Sequence, residues 1–256
     1  MLTKLRHSRP VGVVRYHLYR DVLLAFPRRH SCNICGWRGR RFLTYLDPFV
    51  LCPQCGSHVR QRLIAAALQH LGDRIGVPTA WERLLHISPE YGLGLALRPR
   101  AHKYVRADWL TADCDIRQDI TAMPFRDGVF DALVVCDTLE HIVHDRAALA
   151  ECRRVLRVGG LAILTVPQNE NESETYEDAS ITSQADRRRH FGQEDHVRNY
   201  GLDFGERVAA AGFDVSCIDA SAFDPRLVVE HVLRPPLDPR SAVGWTNRRI
   251  YFARRV

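Results

Sequence analysis

Two Cys-x2-Cys pairs constrain this chain more than any other feature: Cys32 with Cys35, and Cys52 with Cys55, separated by 16 residues. Two thiolates on one tight turn chelate as a unit, and four close a tetrahedron around zinc with no position left for water. A glycine follows each pair, Gly36 and Gly56, and relieves the backbone behind the turn. A redox dithiol would share the dipeptide spacing, but the doubled pair at this separation reads as a four-cysteine ribbon over about residues 30–57. Such a site has no labile ligand, so its Zn2+ is structural. The intervening WRGRRFLTYLDPFVL is rich in aromatic residues and β-formers, enough for a small hairpin under the metal. The other cysteines, Cys114, Cys136, Cys152 and Cys217, are scattered and read as buried apolar fillers.

Ser57 is placed to cap a helix running to about Leu71, with Leu63, Ile64, Ala67, Leu68 and Leu71 as its apolar stripe and Gly72 as its stop. Upstream, VVRYHLYRDVLLAF also reads as helical. The net charge of +6 is unevenly distributed. Residues 1–80 hold 13 Lys and Arg against 3 Asp and Glu, a balance of +10, and the remainder carries −4. The composition shift and the Gly76-Val77-Pro78 punctuation predict a basic module over 1–80 and a larger domain over 81–256. A basic ribbon invites nucleic acid, although a solvated face is the plainer reading. No run approaches the length of a membrane span, and DVLLAF is too short for a signal core, so the sequence predicts a cytoplasmic protein with no membrane partner.

From position 81 apolar strands alternate with helical patterns. RLLHIS (83–88), KYVRAD (103–108), the weaker DIRQDI (115–120), VFDALVVCD (129–137) and GLAILTVP (160–167) read as strands. FDVSCIDA (213–220) and RRIYFARR (248–255) add two more, and DRAALAECRRVL (145–156) is an amphipathic helix. That alternation predicts an α/β fold with a mostly parallel sheet covered on both faces, binding its ligand outside the carboxyl ends of the strands.

The segments LLHISPEYGLG, YVRADW, QDITAMPFRDGVFDALVVCDTLEHI, ECRRVLRVGGLAILTVP and AAAGFDV follow one another in order. Together they resemble the class I S-adenosylmethionine-dependent methyltransferases over roughly 81–220. The resemblance implies a Rossmann-like seven-stranded sheet whose last strand is antiparallel, with S-adenosylmethionine over the tips of its first half. Asp108, ending the second strand, would accept from a ribose diol. Asp119, ending the third, would accept from the adenine amino group, with Ile120 offering its backbone N–H and an apolar surface. Asp137 ends the fourth and joins this set. The departure lies in the first motif. HISPEYG puts His86 where the family has an acid, and Ser88 and Glu90 where it has glycines, leaving only Gly92. Ser88, Glu90 and Gly92 would line the cofactor, with Glu90 holding its α-amino group.

Methyl transfer needs a positioned nucleophile, exclusion of water, and a base when the acceptor carries a proton. The polar stretch 168–200 is long enough to be a lid. Its end, HFGQEDHVRNYG, predicts a helix from about Asp195 that would put His196 and Tyr200 on one face. His196 is the expected general base, followed by His141 and His190, with Arg198 and Tyr200 toward substrate. The expected activity is methylation of O or N on a small molecule such as a sugar or peptide. An RNA methyltransferase or binding module using the basic ribbon is the alternative.

Overall fold

The computed structural model describes residues 29–45, 47–234, 245–246 and 249–256. The helix expected over VVRYHLYRDVLLAF lies outside them. Two short hairpins open the described chain, β1 (His30–Ser31) with β2 (Arg38–Gly39) and β3 (Leu43–Tyr45) with β4 (Asp47–Leu51). The helix Val59–His70 follows, starting at His58 rather than at the expected Ser57. The backbone N–H of His58 finds an acceptor in Gln61 Oε1 at 3.0 Å, which leaves Ser57 free for another task described below.

The larger part contains β5 (Trp81–Ile87), the helix Tyr91–Leu97, β6 (Ala101–Asp108), β7 (Ile116–Arg117) and β8 (Phe130–Cys136). Then come the helix Asp145–Val155, β9 (Leu156–Thr165), β10 (Gln168–Asn169), β11 (Tyr176–Glu177), the helix Gln184–Phe191 and β12 (Arg198–Asn199). The helix Phe204–Ala210, β13 (Phe213–Ile218), the helix Pro225–His231, β14 (Trp245–Thr246) and β15 (Ile250–Arg255) complete it.

Seven of these strands form one sheet in the order β13-β15-β9-β8-β5-β6-β7. β5 pairs in parallel with β6 and β8, and β8 with β9, while β15 is antiparallel to both β9 and β13. This is the class I methyltransferase arrangement, with the last strand inserted against the direction of the rest. The near-continuous apolar runs of β5, β8 and β9 follow from coverage on both faces. Successive residues alternate between two cores. Leu85, Leu133, Val135 and Leu164 pack toward the helices Asp145–Val155 and Phe204–Ala210. Leu84, Ala132, Val134 and Ile163 pack toward the other side, where Leu93 and Leu97 meet Leu63, Ile64, Ala67 and Leu68.

The second core has a consequence for domain organisation. The helix that leaves the ribbon supplies part of the covering layer of the sheet, so the hydrophobic core runs across the composition boundary near residue 80. Arg62, wholly buried, secures the join. Its guanidinium donates to the carbonyls of Ser57, His231 and Val232 and lies 4.1 Å over the Phe42 ring. On the ribbon's other side Ser31 Oγ donates to Glu230 Oε1 at 2.7 Å.

The segment 168–200 is built rather than structureless. β11 and β12 pair as Tyr176 with Asn199 and Glu177 with Arg198, and the helix between them is capped by Ser183 and ended at Gly192. No helix begins at Asp195; residues 198–199 are extended instead. The strand pairing and three carbonyl partners for Arg198 outweigh the local helical spacing. Of the cysteines expected as core fillers, Cys136 and Cys152 are buried, whereas Cys114 is half-buried and Cys217 exposed on β13. Among the described residues no helix is long and apolar enough to cross a membrane.

Candidate functional site

The four ribbon cysteines converge. Cys32 Sγ lies 3.7 Å from Cys55 Sγ, and Cys35 Sγ 3.7 Å from Cys52 Sγ. A disulfide would need about 2.0 Å. Zinc arms of about 2.3 Å at the tetrahedral angle put sulfurs about 3.8 Å apart, so the spacing fits a four-thiolate zinc site. The two turns repeat one another. Gly36 N–H donates to Cys32 O and Gly56 N–H to Cys52 O, with both glycines at positive φ. Ser57 Oγ sits 3.2 Å from Cys55 Sγ and 3.4 Å from Cys32 Sγ, where its hydroxyl can donate to a thiolate.

A second site forms where β5 and β8 end side by side. Two residues other than glycine hold positive φ there, Ser88 at 48° and Asp137 at 45°. Such backbone is strained for an L side chain and persists only where surrounding contacts enforce it. For Ser88 the enforcement includes its N–H donating to Ala107 O at 2.9 Å; for Asp137 it includes the N–H to Thr165 O at 3.0 Å. Thr165 Oγ1 also donates to Asp137 Oδ1 at 2.9 Å.

Arg60, from the first turn of the ribbon helix, reaches into this crevice. Its guanidinium is paired with Glu90 and lies 3.0 Å from Asp137 Oδ2. Burial works against its charge, but Asp137 and Glu90 together hold it more firmly protonated than usual. Burial raises the Glu90 carboxyl, opposed by Arg60. Gly92 explains the approach of the two parts. A Cβ there would meet Gln61 Oε1 and Ser57 Cβ at 3.0 Å and Ser57 Cα at 3.1 Å, so the missing side chain lets the ribbon helix seat. His86, at the position of the expected acid, is fully buried beneath the loop, with Nδ1 2.6 Å from Tyr104 Oη. Desolvation pushes its pKa down to about 3, so it is neutral at physiological pH.

Asp108 ends β6 and is half-buried; its Oδ1 accepts from the backbone of Leu110 and Thr111. Asp119 is exposed just beyond β7, with Oδ1 taken by the amide and hydroxyl of Thr121, and Ile120 is buried beside it.

Beyond Asp137 the chain turns through Leu139–His141, and His196 comes to meet it. Glu140, His141 and His196 cluster, held by Val197 N–H donating to Glu140 O at 2.9 Å. His190 does not join them. It is exposed on the helix Gln184–Phe191, 3.1 Å from Tyr176 Oη. Arg198 and Tyr200, expected toward substrate, lie in the interior. Arg198 donates to Leu139, Ile142 and Val143 carbonyls and to Glu177, and Tyr200 donates to Asp145 Oδ2 at 2.8 Å, both side chains being buried. Two residues of the site escaped the sequence reading. Glu140 stood in view beside His141 in LEHI, whereas nothing near Arg60 in the sequence signals a partner 30 residues away.

The family model described as a methyltransferase domain matches residues 91–164, from just after the Ser88–Glu90 loop to the end region of β9. No curated protein sequence matches the chain. Among solved structures, the Burkholderia thailandensis 1,6-didemethyltoxoflavin-N1-methyltransferase, with its substrate and S-adenosylhomocysteine bound, is 15% identical; the alignment covers 77% of this chain and 78% of that one at a TM-score of 0.48. The Haemonchus contortus phosphoethanolamine N-methyltransferase 2, in complex with S-adenosylmethionine, is 14% identical over 77% and 57% of the chains at 0.49. A cyclase, SpnF, is 15% identical over 95% and 92% at 0.49. All three are too distant to carry an argument about reaction or substrate.

Proposed function

We propose that the chain is an S-adenosylmethionine-dependent methyltransferase that acts on an oxygen or nitrogen of a small molecule and carries a structural zinc in its ribbon. The observation that carries this reading is the crevice itself. Two strained strand tips, Ser88 and Asp137, face one another across an Arg60–Glu90 pair, at the carboxyl edge where sheets of this order bind ligands.

Bound there, S-adenosylmethionine would supply a methyl group on an electrophilic sulfonium. Its amino-acid end is a zwitterion and needs one partner of each sign. Glu90 serves the ammonium and Arg60 the carboxylate, with Asp137 balancing Arg60. Ser88 and Gly92 shape the loop around that end. Asp108 has one carboxylate oxygen committed to its own turn and the other left for a ribose diol. Asp119 and Ile120 serve the adenine edge. The acceptor sits beyond Asp137, under the 168–200 lid, and its proton leaves through the Glu140–His141–His196 cluster. His196 suits that role in its neutral form, which burial and then the charge of His141 favour by lowering its pKa.

Calorimetry with S-adenosylhomocysteine tests the reading. Binding of micromolar order, about −8 kcal/mol, is expected, and Asp108→Ala should weaken it by about 1.5–3 kcal/mol. Binding of a nicotinamide dinucleotide in its place would defeat the assignment.

A further inference from the structure

Glu140, His141 and His196 face one another at the mouth of the crevice. Glu140 is 2% exposed, and its Oε2 has no hydrogen-bond partner among the described residues. His196 is 3% exposed, and its Nδ1 likewise has none. His141 Nε2 lies 3.8 Å from Glu140 Oε1, and the His141 and His196 rings meet edge to face at 4.8 Å. One donor atom from each of the three falls within 4.8 Å of the others. A carboxyl oxygen and an imidazole nitrogen buried without partners are costly to leave so. Arg60, whose charge reaches Glu140, is already committed to Glu90 and Asp137.

The surroundings of His141 add an independent constraint. Its Nδ1 faces Asp195, at 3.3 Å from both the backbone carbonyl and a carboxylate oxygen. Two acceptors at that nitrogen put the ring proton on Nδ1 and leave the Nε2 lone pair aimed at Glu140. A carboxylate or carbonyl that fixes the tautomer of a histidine in this way is the usual companion of a metal-ligating imidazole. The side chain of His141 is also about one-third exposed, so the cluster is closed behind and open in front. Closed structural sites have no such face, whereas sites that handle a substrate keep one.

We propose that Glu140, His141 and His196 hold one divalent transition-metal ion, with Asp195 as the residue that positions His141. One carboxylate and two imidazoles suit manganese, iron, cobalt or zinc rather than calcium or magnesium. Donor arms of about 2.1 Å at angles of about 90–110° put donors about 3.0–3.4 Å apart, so the widest pair, within 4.8 Å, closes by about 1.5 Å on loading. The open positions face the crevice, where an oxygen of the acceptor would complete the coordination. That last role rests on the methyltransferase reading and, with the ion bound, His196 would serve as a ligand instead of as the base; the metal site itself does not rest on that reading.

The test uses the full chain with its ribbon zinc in place and no cofactor. Manganese(II) is titrated in and the free-ion electron paramagnetic resonance signal is followed, since manganese avoids thiolates and ignores the ribbon. One ion per chain should bind. Glu140→Gln, nearly isosteric, and His141→Ala, at a partly exposed position, should each weaken binding at least tenfold, while exposed His144→Ala should not. No binding up to millimolar manganese, or equal binding in Glu140→Gln and His141→Ala, would overturn the site. S-adenosylhomocysteine calorimetry on the same sample separates the two ideas. Cofactor-product binding without manganese binding removes the metal alone, and the reverse removes the methyltransferase reading alone.

Discussion

The ribbon and the strand-tip crevice are both charged constellations of four or five residues, yet they are assembled in opposite ways. The ribbon's ligands come in two local pairs, each on a turn that repeats the other's hydrogen bond and glycine. The crevice gathers Arg60, Glu90, Asp137 with Glu140, and His196 from four separate stretches, and two of its backbone positions are strained. A site written in short spacings can be read without a fold. A site gathered by a sheet cannot, and its side chains break the local rules that would advertise them.

The comparison breaks most sharply if the ribbon is a detachable module. Because its helix covers one face of the sheet and carries Arg60, Cys52→Ser should remove zinc and also abolish S-adenosylhomocysteine binding. The free energy at stake is that of a structural zinc site, about 10 kcal/mol or more. Metal analysis with calorimetry decides it: cofactor-product binding that survives zinc loss would make the two regions independent.

A smaller effect is expected at their contact. Arg60→Ala leaves the Glu90 and Asp137 carboxylates together without a cation, and removing one member of a buried pair costs about 3–5 kcal/mol. Chemical denaturation should show that loss, and a change under 1 kcal/mol would mean that solvent already screens the trio. Next comes His86. Its pKa is lowered from 6.5 to about 3 by burial, so the unfolded chain binds the proton more readily. The stability it contributes is complete above pH 6.5 and is lost as pH falls toward 3. His86→Gln should flatten that slope by up to one proton, about 1.4 kcal/mol per pH unit, as read from urea midpoints. His58, lowered to about 4 by burial and then by Arg60 and Arg62, acts in the same window and keeps part of the slope in the variant. The smallest effect belongs to Ser88→Gly. Relieving positive φ should raise stability by about 1 kcal/mol, and a melting temperature that falls instead would show that the serine side chain contributes contacts worth more than the strain.

Much of the architecture was legible. The apolar runs at 129–137 and 160–167 emerge as β8 and β9, and the four cysteines meet as their spacing requires. Legibility failed where long-range partners overrode local pattern. The spacing of His196 and Tyr200 suggested a helix face, but Arg198 is drawn to three carbonyls 55 to 59 residues away and holds the segment extended. Nothing in the spacing singles out Arg60, because its partners Glu90 and Asp137 are brought to it only when β5 and β8 lie side by side. Glu140 was visible beside His141, but the lack of a partner for its Oε2 is a property of burial, which spacing does not encode.

Arg62 has a consequence for the timing of synthesis. Two of its three carbonyl acceptors, on His231 and Val232, lie 169 and 170 residues further along the chain. At about 5–20 residues per second, roughly 10–30 s pass between the emergence of the arginine and that of its acceptors. For that interval the ribbon can fold on its own metal while its helix waits, guanidinium unmatched and apolar stripe uncovered, for the sheet and the Pro225–His231 helix to arrive. The nascent chain therefore exposes the apolar stripe of residues 59–71 early and covers it late, which makes that segment a place where a holding chaperone would be of use.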